Sequence, residues 1–352
     1  NNNTAIGYQA LSTEDAHGDN VAVGYQSLKT LNAGADSFNT AVGYQSGLAM
    51  TTGIENAIFG SFAGDALTDA DFNVALGGST LSSDTKGSKS TAVGFGSLAT
   101  QNFTTSTDSF NTGVGFHAGN DITTGEGNTL VGGLAGDALT DADFNVAMGK
   151  NALSSDTLGS FSTAIGINAL EAQNFTTATQ TYNTAVGALA GGAVTTGQYN
   201  TLIGGQAGDA LTTGGSNVAL GFQSLSTEDA HGLNTAVGYQ ALKTLNAGAD
   251  GNNTAVGYIA GVSITTGVKN VIIGSTAGDA LTDADFNVAV GFGALTTDTQ
   301  GSRSTAVGYN ALNAQNFTTQ TETMNTAIGF GAAGSVSTGT ENTVIGSEAA
   351  DA

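Results

Sequence analysis

The chain has 352 residues with no Cys, Pro or Trp, and its 29 acidic against 7 basic residues give a net charge of −22. That balance repels nucleic-acid phosphates and anionic lipid headgroups, so nucleic acid is excluded as a partner. Within these residues no secretory-signal pattern, no apolar run near 18 residues and no polybasic run is found, and the sequence predicts no membrane insertion in this segment.

The first predicted element is a five-residue phrase, Asn3-Thr4-Ala5-Ile6-Gly7, and the last is Asn342-Thr343-Val344-Ile345-Gly346. Between them the phrase recurs to make twenty copies, most of them 17 residues apart, with every fourth step 19 or 21. A fixed period of this size marks an array in which each unit buries its apolar side only against its neighbours. Thr, Val and Ile at period two within the phrase predict a short strand with one buried face. A strand of this length that returns in the same sense after a dozen residues predicts an all-β fold, a parallel β-solenoid or β-roll of about twenty coils. The repeat spans residues 1–352 as one continuous array, beginning and ending inside the repeat, as expected of a segment of a longer protein. With 53 Gly and no Trp, the interior is thin, and lateral association into a homo-oligomer is expected to cover a second face.

Four coil types follow one another. The first runs from a Leu into an acidic or Ser/Thr turn, as in Leu81-Ser82-Ser83-Asp84-Thr85, or as the motif Ser-Thr-Glu-Asp-Ala-His-Gly that ends at Gly18 and again at Gly232. The second carries the extra residues in loops such as Leu98–Asn111. Their tips place Leu31, Phe103, Phe175, Leu245 and Phe317 in polar surroundings four coils apart, about 19 Å at roughly 4.8 Å per rung. Exposed apolar rows mark contact sites, and these five are candidate contact residues; the plainer reading folds each tip back onto its coil. The third type ends in Thr-Thr-Gly, where glycine permits a positive-φ turn. The fourth reads Ala-Gly-Asp-Ala-Leu-Thr-Asp-Ala-Asp-Phe-Asn from Ala63, Ala135 and Ala277.

The fourth residue of the phrase is always large and apolar, so it is expected to face the core and the third to face away. That third residue is small in most coils but large in the fourth type, at Ile58, Leu130, Leu202 and Ile272. The same coils carry Ser or Gly after the phrase glycine, where Tyr25, Tyr44, Tyr239 and Tyr258 stand in other coils. Because close packing penalises both voids and overfilling, these eight residues are expected to share one packing site at a subunit interface.

Asn-Thr-Ala-Val-Gly-Tyr-Gln followed by Thr-Thr-Gly resembles the head-domain repeats of trimeric autotransporter adhesins. It is also similar to repeats of long surface and tail-fibre proteins that end in an intramolecular chaperone. The resemblance covers the whole chain. It implies left-handed β-rolls joined as a homotrimer, extracellular or cell-surface display, and attachment to other cells or to glycans. The coils of 17 residues with a longer one every fourth depart from the shorter family repeat, and other cyclic subunit numbers stay open.

No motif for catalysis emerges. The three histidines are His17 and His231, copies of one position, and His117 in another coil, and no phosphate loop or redox pair accompanies them. Calcium binds six to eight oxygens, and the weak candidates for it are the triplets Asp65, Asp69, Asp71; Asp137, Asp141, Asp143; and Asp279, Asp283, Asp285. The competing reading is a solvated acidic turn. The Asn that opens each phrase, replaced by Ser only at Ser90, Ser162 and Ser304, predicts a structural row of side-chain amides. Rows of Thr suggest an ice-binding surface as a remote alternative, weakened by the Val interruptions and an expected inward orientation. Asn102-Phe103-Thr104 and its copies match a glycosylation acceptor. Two roles therefore stand: an extracellular adhesin or fibre shaft, and a purely structural spacer or filament whose binding module lies elsewhere.

Overall fold

A computed structural model describes residues 2–14 and 17–351. It forms two compact units, Asn1–Thr181 and Tyr182–Ala352, and no helix occurs among the described residues. In the first unit, ten three-residue strands from Thr4–Ile6 to Thr163–Ile165 pair in sequence order, all parallel. Thr40, Ala41 and Val42 lie against Ala57, Ile58 and Phe59, which lie against Val74, Ala75 and Leu76. The second unit repeats the arrangement with ten strands from Thr184–Val186 to Thr343–Ile345. Each unit is thus a parallel β-solenoid with in-register copies of the phrase, as the period predicts. In the longest coils a second small pairing forms, for example Gly87–Ser88 with Thr107–Asp108.

Two residues of the phrase explain why the coils stack. The phrase glycine turns the chain out of the strand at positive φ, +147° at Gly43, and a Cβ there would lie 2.2 Å from the carbonyl oxygen of Gly60 in the next coil. Nothing larger fits between the two backbones, so the position repeats without exception. The phrase asparagine is buried and bonds forwards and backwards. Asn56 Oδ1 accepts from the Asn73 backbone N–H at 2.9 Å, while its Nδ2 donates to the Ala70 carbonyl at 2.8 Å. The next rung repeats this, with Asn73 Oδ1 accepting from Ser90 N–H and Asn73 Nδ2 donating to Gly87 O. The amide row is thus a structural ladder that satisfies the buried corners of the coil.

The orientation of the strand is the reverse of the expectation. The third residue of the phrase faces the core: Ala22, Ala41, Ala75 and Ala92 are fully buried, and so are Ile58, Leu130, Leu202 and Ile272. The second and fourth residues face out, with Val74 37%, Leu76 46% and Phe59 39% exposed. The Thr positions likewise point outward. The reason is that the interior opposite the strand is already filled by buried turn residues such as Leu28, Leu67, Leu81 and Leu98, which leaves room mainly for Ala on the strand itself.

The large third residues fill the gap left by glycine at a different place. A Cβ on Gly119 would lie 2.6 Å from Leu130 Cδ1 and 2.9 Å from Leu98 Cδ2, and one on Gly136 would lie 2.8 Å from Leu130 Cδ2. Gly47 and Gly64 stand in the same relation to Ile58, Gly208 to Leu202, and Gly278 to Ile272. Ile58, Leu130, Leu202 and Ile272 are therefore core residues of the single chain. They share no packing site with Tyr25, Tyr44, Tyr239 and Tyr258, which are 42 to 54% exposed.

Candidate functional site

The corners on either side of each strand decide what the outside presents. In the Phe38–Tyr44 segment, Phe38, Thr40, Val42 and Tyr44 stay out of the core while Asn39 and Ala41 go in. Phe38 reaches the outside because its backbone adopts the left-handed conformation, φ 52°. Repeated at every coil, this gives four outward columns: the residue before the asparagine, the second and fourth residues of the phrase, and the residue after the glycine.

The last column is aromatic over long runs. Tyr8, Tyr25 and Tyr44 stack with ring centroids 5.3 and 5.1 Å apart, and Phe62 meets Tyr44 edge-on at 5.2 Å. In the second unit Phe222, Tyr239 and Tyr258 stack at 5.8 and 5.4 Å, and Phe292, Tyr309 and Phe330 at 5.3 and 5.0 Å. The opposite column carries Phe144 and Phe161, 5.3 Å apart, and Phe110 and Phe286, each with a lysine over its ring at 5.2 and 5.1 Å. Between them run half-exposed Thr, Val, Ile and Leu. Contiguous apolar surface of this kind is uncommon on a protein exterior, which makes these columns the candidate interaction face.

The charge distribution adds to this. Of the 29 acidic residues, only Asp19, Glu55 and Glu341 occupy these columns, against four of the seven basic ones, Lys89, Lys150, Lys269 and Arg303. The acid responsible for the net charge of −22 is concentrated on the turns and loops instead.

The loop tips do not form a contact row. Leu31 and Leu245 are fully buried, Phe103 and Phe175 are 5% exposed, and Phe317 is half-buried. Phe103 is fixed to the preceding coil from both ends of its peptide. Its N–H donates to buried Asp84 Oδ1 at 3.1 Å, and its carbonyl accepts from Thr85 Oγ1 at 2.8 Å. Phe175 is held by Asp156 and Thr157, and Phe317 by Asp298 and Thr299, in the same way. The tip folds back because a buried carboxylate needs its N–H.

These loops also hold residues that the sequence reading missed. Where serine replaces the ladder asparagine, a loop glutamine completes the row: Gln101 Nε2 donates to Ser90 Oγ at 2.8 Å and to Asp84 Oδ2 at 2.6 Å, and its Oε1 accepts from Asn111 Nδ2 at 3.0 Å. Gln315 does the same for Ser304, Asp298 and Asn325. The signal was the coincidence of Ser at the phrase and Gln three residues after the loop leucine.

The aspartate triplets separate. Asp71, Asp143 and Asp285 each accept a backbone N–H from the preceding coil, those of Ile54, Glu126 and Val268, at 2.8 to 2.9 Å. Asp69 pairs with Lys86 at 3.5 Å, Asp141 accepts from the Thr124 hydroxyl, and Asp283 accepts from Thr266. Asp65 and Asp137 each keep one buried oxygen without a hydrogen bond, and burial raises their carboxyls above the usual range. Asp279 accepts from Thr296. No triplet gathers its carboxylates around one point, because alternate residues of the turn serve different neighbours. Among the described residues the group that does converge is Glu228, Asp229 and His231, with ligand atoms within 4.8 Å of one another.

No protein-family model matches the chain, and no curated protein or solved structure matches it either.

Proposed function

We propose that the chain is a surface-displayed attachment or fibre-shaft protein whose outer columns associate with further copies of itself, with three copies favoured. The observation that carries this reading is the aromatic and aliphatic outer face, nearly free of acid on a strongly acidic chain. Two copies meeting through it avoid the repulsion that any other side would generate at this net charge. Burial of stacked Tyr and Phe is the usual energetic centre of such contacts. Display outside the cell and the attachment role rest on the resemblance of the phrase to the adhesin repeats.

Fluorescently labelled chain incubated with cells and with glycan-coated beads tests attachment. Saturable retention supports the adhesin reading, and no retention on any surface leaves the spacer role in its place.

A further inference from the structure

The first-type coil exists in two chemical versions, and they handle a buried carboxylate differently. In one, Asp84 Oδ1 accepts from the N–H of Gly87, three residues on, and of Phe103, nineteen on, while Oδ2 accepts from the Gln101 amide. In the other, Glu228 is fully buried. Its Oε1 accepts from the His231 N–H at 3.3 Å and its Oε2 from the Ala247 N–H at 3.2 Å, at the same offsets. Leu245 stands where Gln101 stood, so the amide donor is gone, and His231 stands where glycine stood.

The imidazole does not replace that donor with a hydrogen bond. His231 Nδ1 lies 3.4 Å from Glu228 Oε1, is itself buried, and makes no hydrogen bond. Two ligand atoms held at about 2.0–2.1 Å on one tetrahedral ion stand roughly 3.3–3.4 Å apart, which is the spacing seen here. Asp229 brings a third oxygen within 4.8 Å and is exposed, so it is free to swing in and leave a fourth position to water. The twin motif in the first unit repeats the signature: Glu14 Oε1 accepts from the His17 N–H at 3.2 Å, and Glu14 Oε2 and His17 Nδ1 are both buried without a hydrogen bond. Asp15 lies outside the described residues.

We propose that Glu228, Asp229 and His231 form a binding site for a first-row divalent cation of the zinc class, and that Glu14 and His17 supply two ligands of a counterpart in the first unit. An imidazole with two carboxylates suits such an ion better than calcium, which prefers oxygen alone.

Titration of the full chain with Zn2+ in metal-free buffer, followed by calorimetry, tests this. Two sites per chain are expected, falling to one in His231→Ala and to none in the His17→Ala/His231→Ala double variant, with His117→Ala unchanged. Circular dichroism on each variant reports that the fold is kept. A single site that His231→Ala removes supports the second-unit site and overturns its extension to His17. Absence of saturable uptake by the wild-type chain overturns the proposal in favour of a plain Glu228–His231 ion pair, and wild-type binding by the double variant overturns it in favour of adventitious surface carboxylates.

Discussion

Replacing Leu130 by Ala separates a core position from an interface position. The side chain is fully buried, and its two flanks are Gly119 and Gly136, which have no side chains to move into the space. Its backbone is held by strand pairing to Thr112–Val114 and Val146–Met148, so the coil cannot collapse around the gap. Loss of three carbon groups at about 0.8 kcal/mol each accounts for roughly 2.4 kcal/mol. The unrelieved cavity brings the total towards the upper half of the usual range, about 3–4 kcal/mol. Urea unfolding followed by far-UV circular dichroism, at two protein concentrations tenfold apart, measures it. The expected loss is the same at both. A loss under about 1 kcal/mol, or one that fades at the higher concentration as an interface residue would require, refutes the core placement.

Gly115→Ala puts a Cβ 2.3 Å from the Gly132 carbonyl oxygen at φ +146°; a cost above about 3 kcal/mol is expected in the same assay, and a neutral result would mean the coils are farther apart than described. Gln101→Leu leaves Asp84, Ser90 and Asn111 each short of a buried partner and should cost about 2–4 kcal/mol. Adding Ser90→Asn should recover part of this, because Leu31 is tolerated beside Asn20, whose Oδ1 accepts from Ser37 and from the Asn39 N–H. Asp137 titrates above its ordinary value of 3.8 mainly through burial. A raised carboxyl favours the folded state when protonated and loses that advantage as pH rises, so Asp137→Asn should be more stable than wild type at pH 7 and lose that gain as pH falls below about 3.8. An advantage that persists at pH 3 would point to a cause other than the charge.

The period, the parallel register, the asparagine ladder and the invariant glycine were all legible from residues 3–7 and their copies, because each is a backbone requirement that recurs every coil. The inside and outside of the strand were not. Val42 reads as a core residue and Ala41 as a neutral one, because the sequence does not show that leucines of the turns, such as Leu28, already fill the space opposite the strand. The trade of Ile58 against Gly47 and Gly64 was visible as alternating size, but its partner was sought one corner too early, at Tyr44. For Phe103 and its copies the sequence left an exposed tip and a folded-back tip both open, the second being the plainer reading and the one found; what no local feature shows is its cause, an aspartate nineteen residues back, Asp84 for Phe103, that claims the N–H. The burial of Glu228 beside His231 was hidden too, because the long-range partner that holds the carboxylate inside is the Ala247 N–H, nineteen residues on.

The outward columns as the surface that joins copies of the chain are tested most directly by mass in solution. Sedimentation equilibrium of the wild-type chain should give a whole multiple of 34.6 kDa, three being the favoured number. The outward Val93→Asp/Val256→Asp variant should fall to 34.6 kDa with its circular dichroism spectrum unchanged. A wild-type chain that sediments as a monomer, or a charged variant that keeps the wild-type mass, would contradict the account.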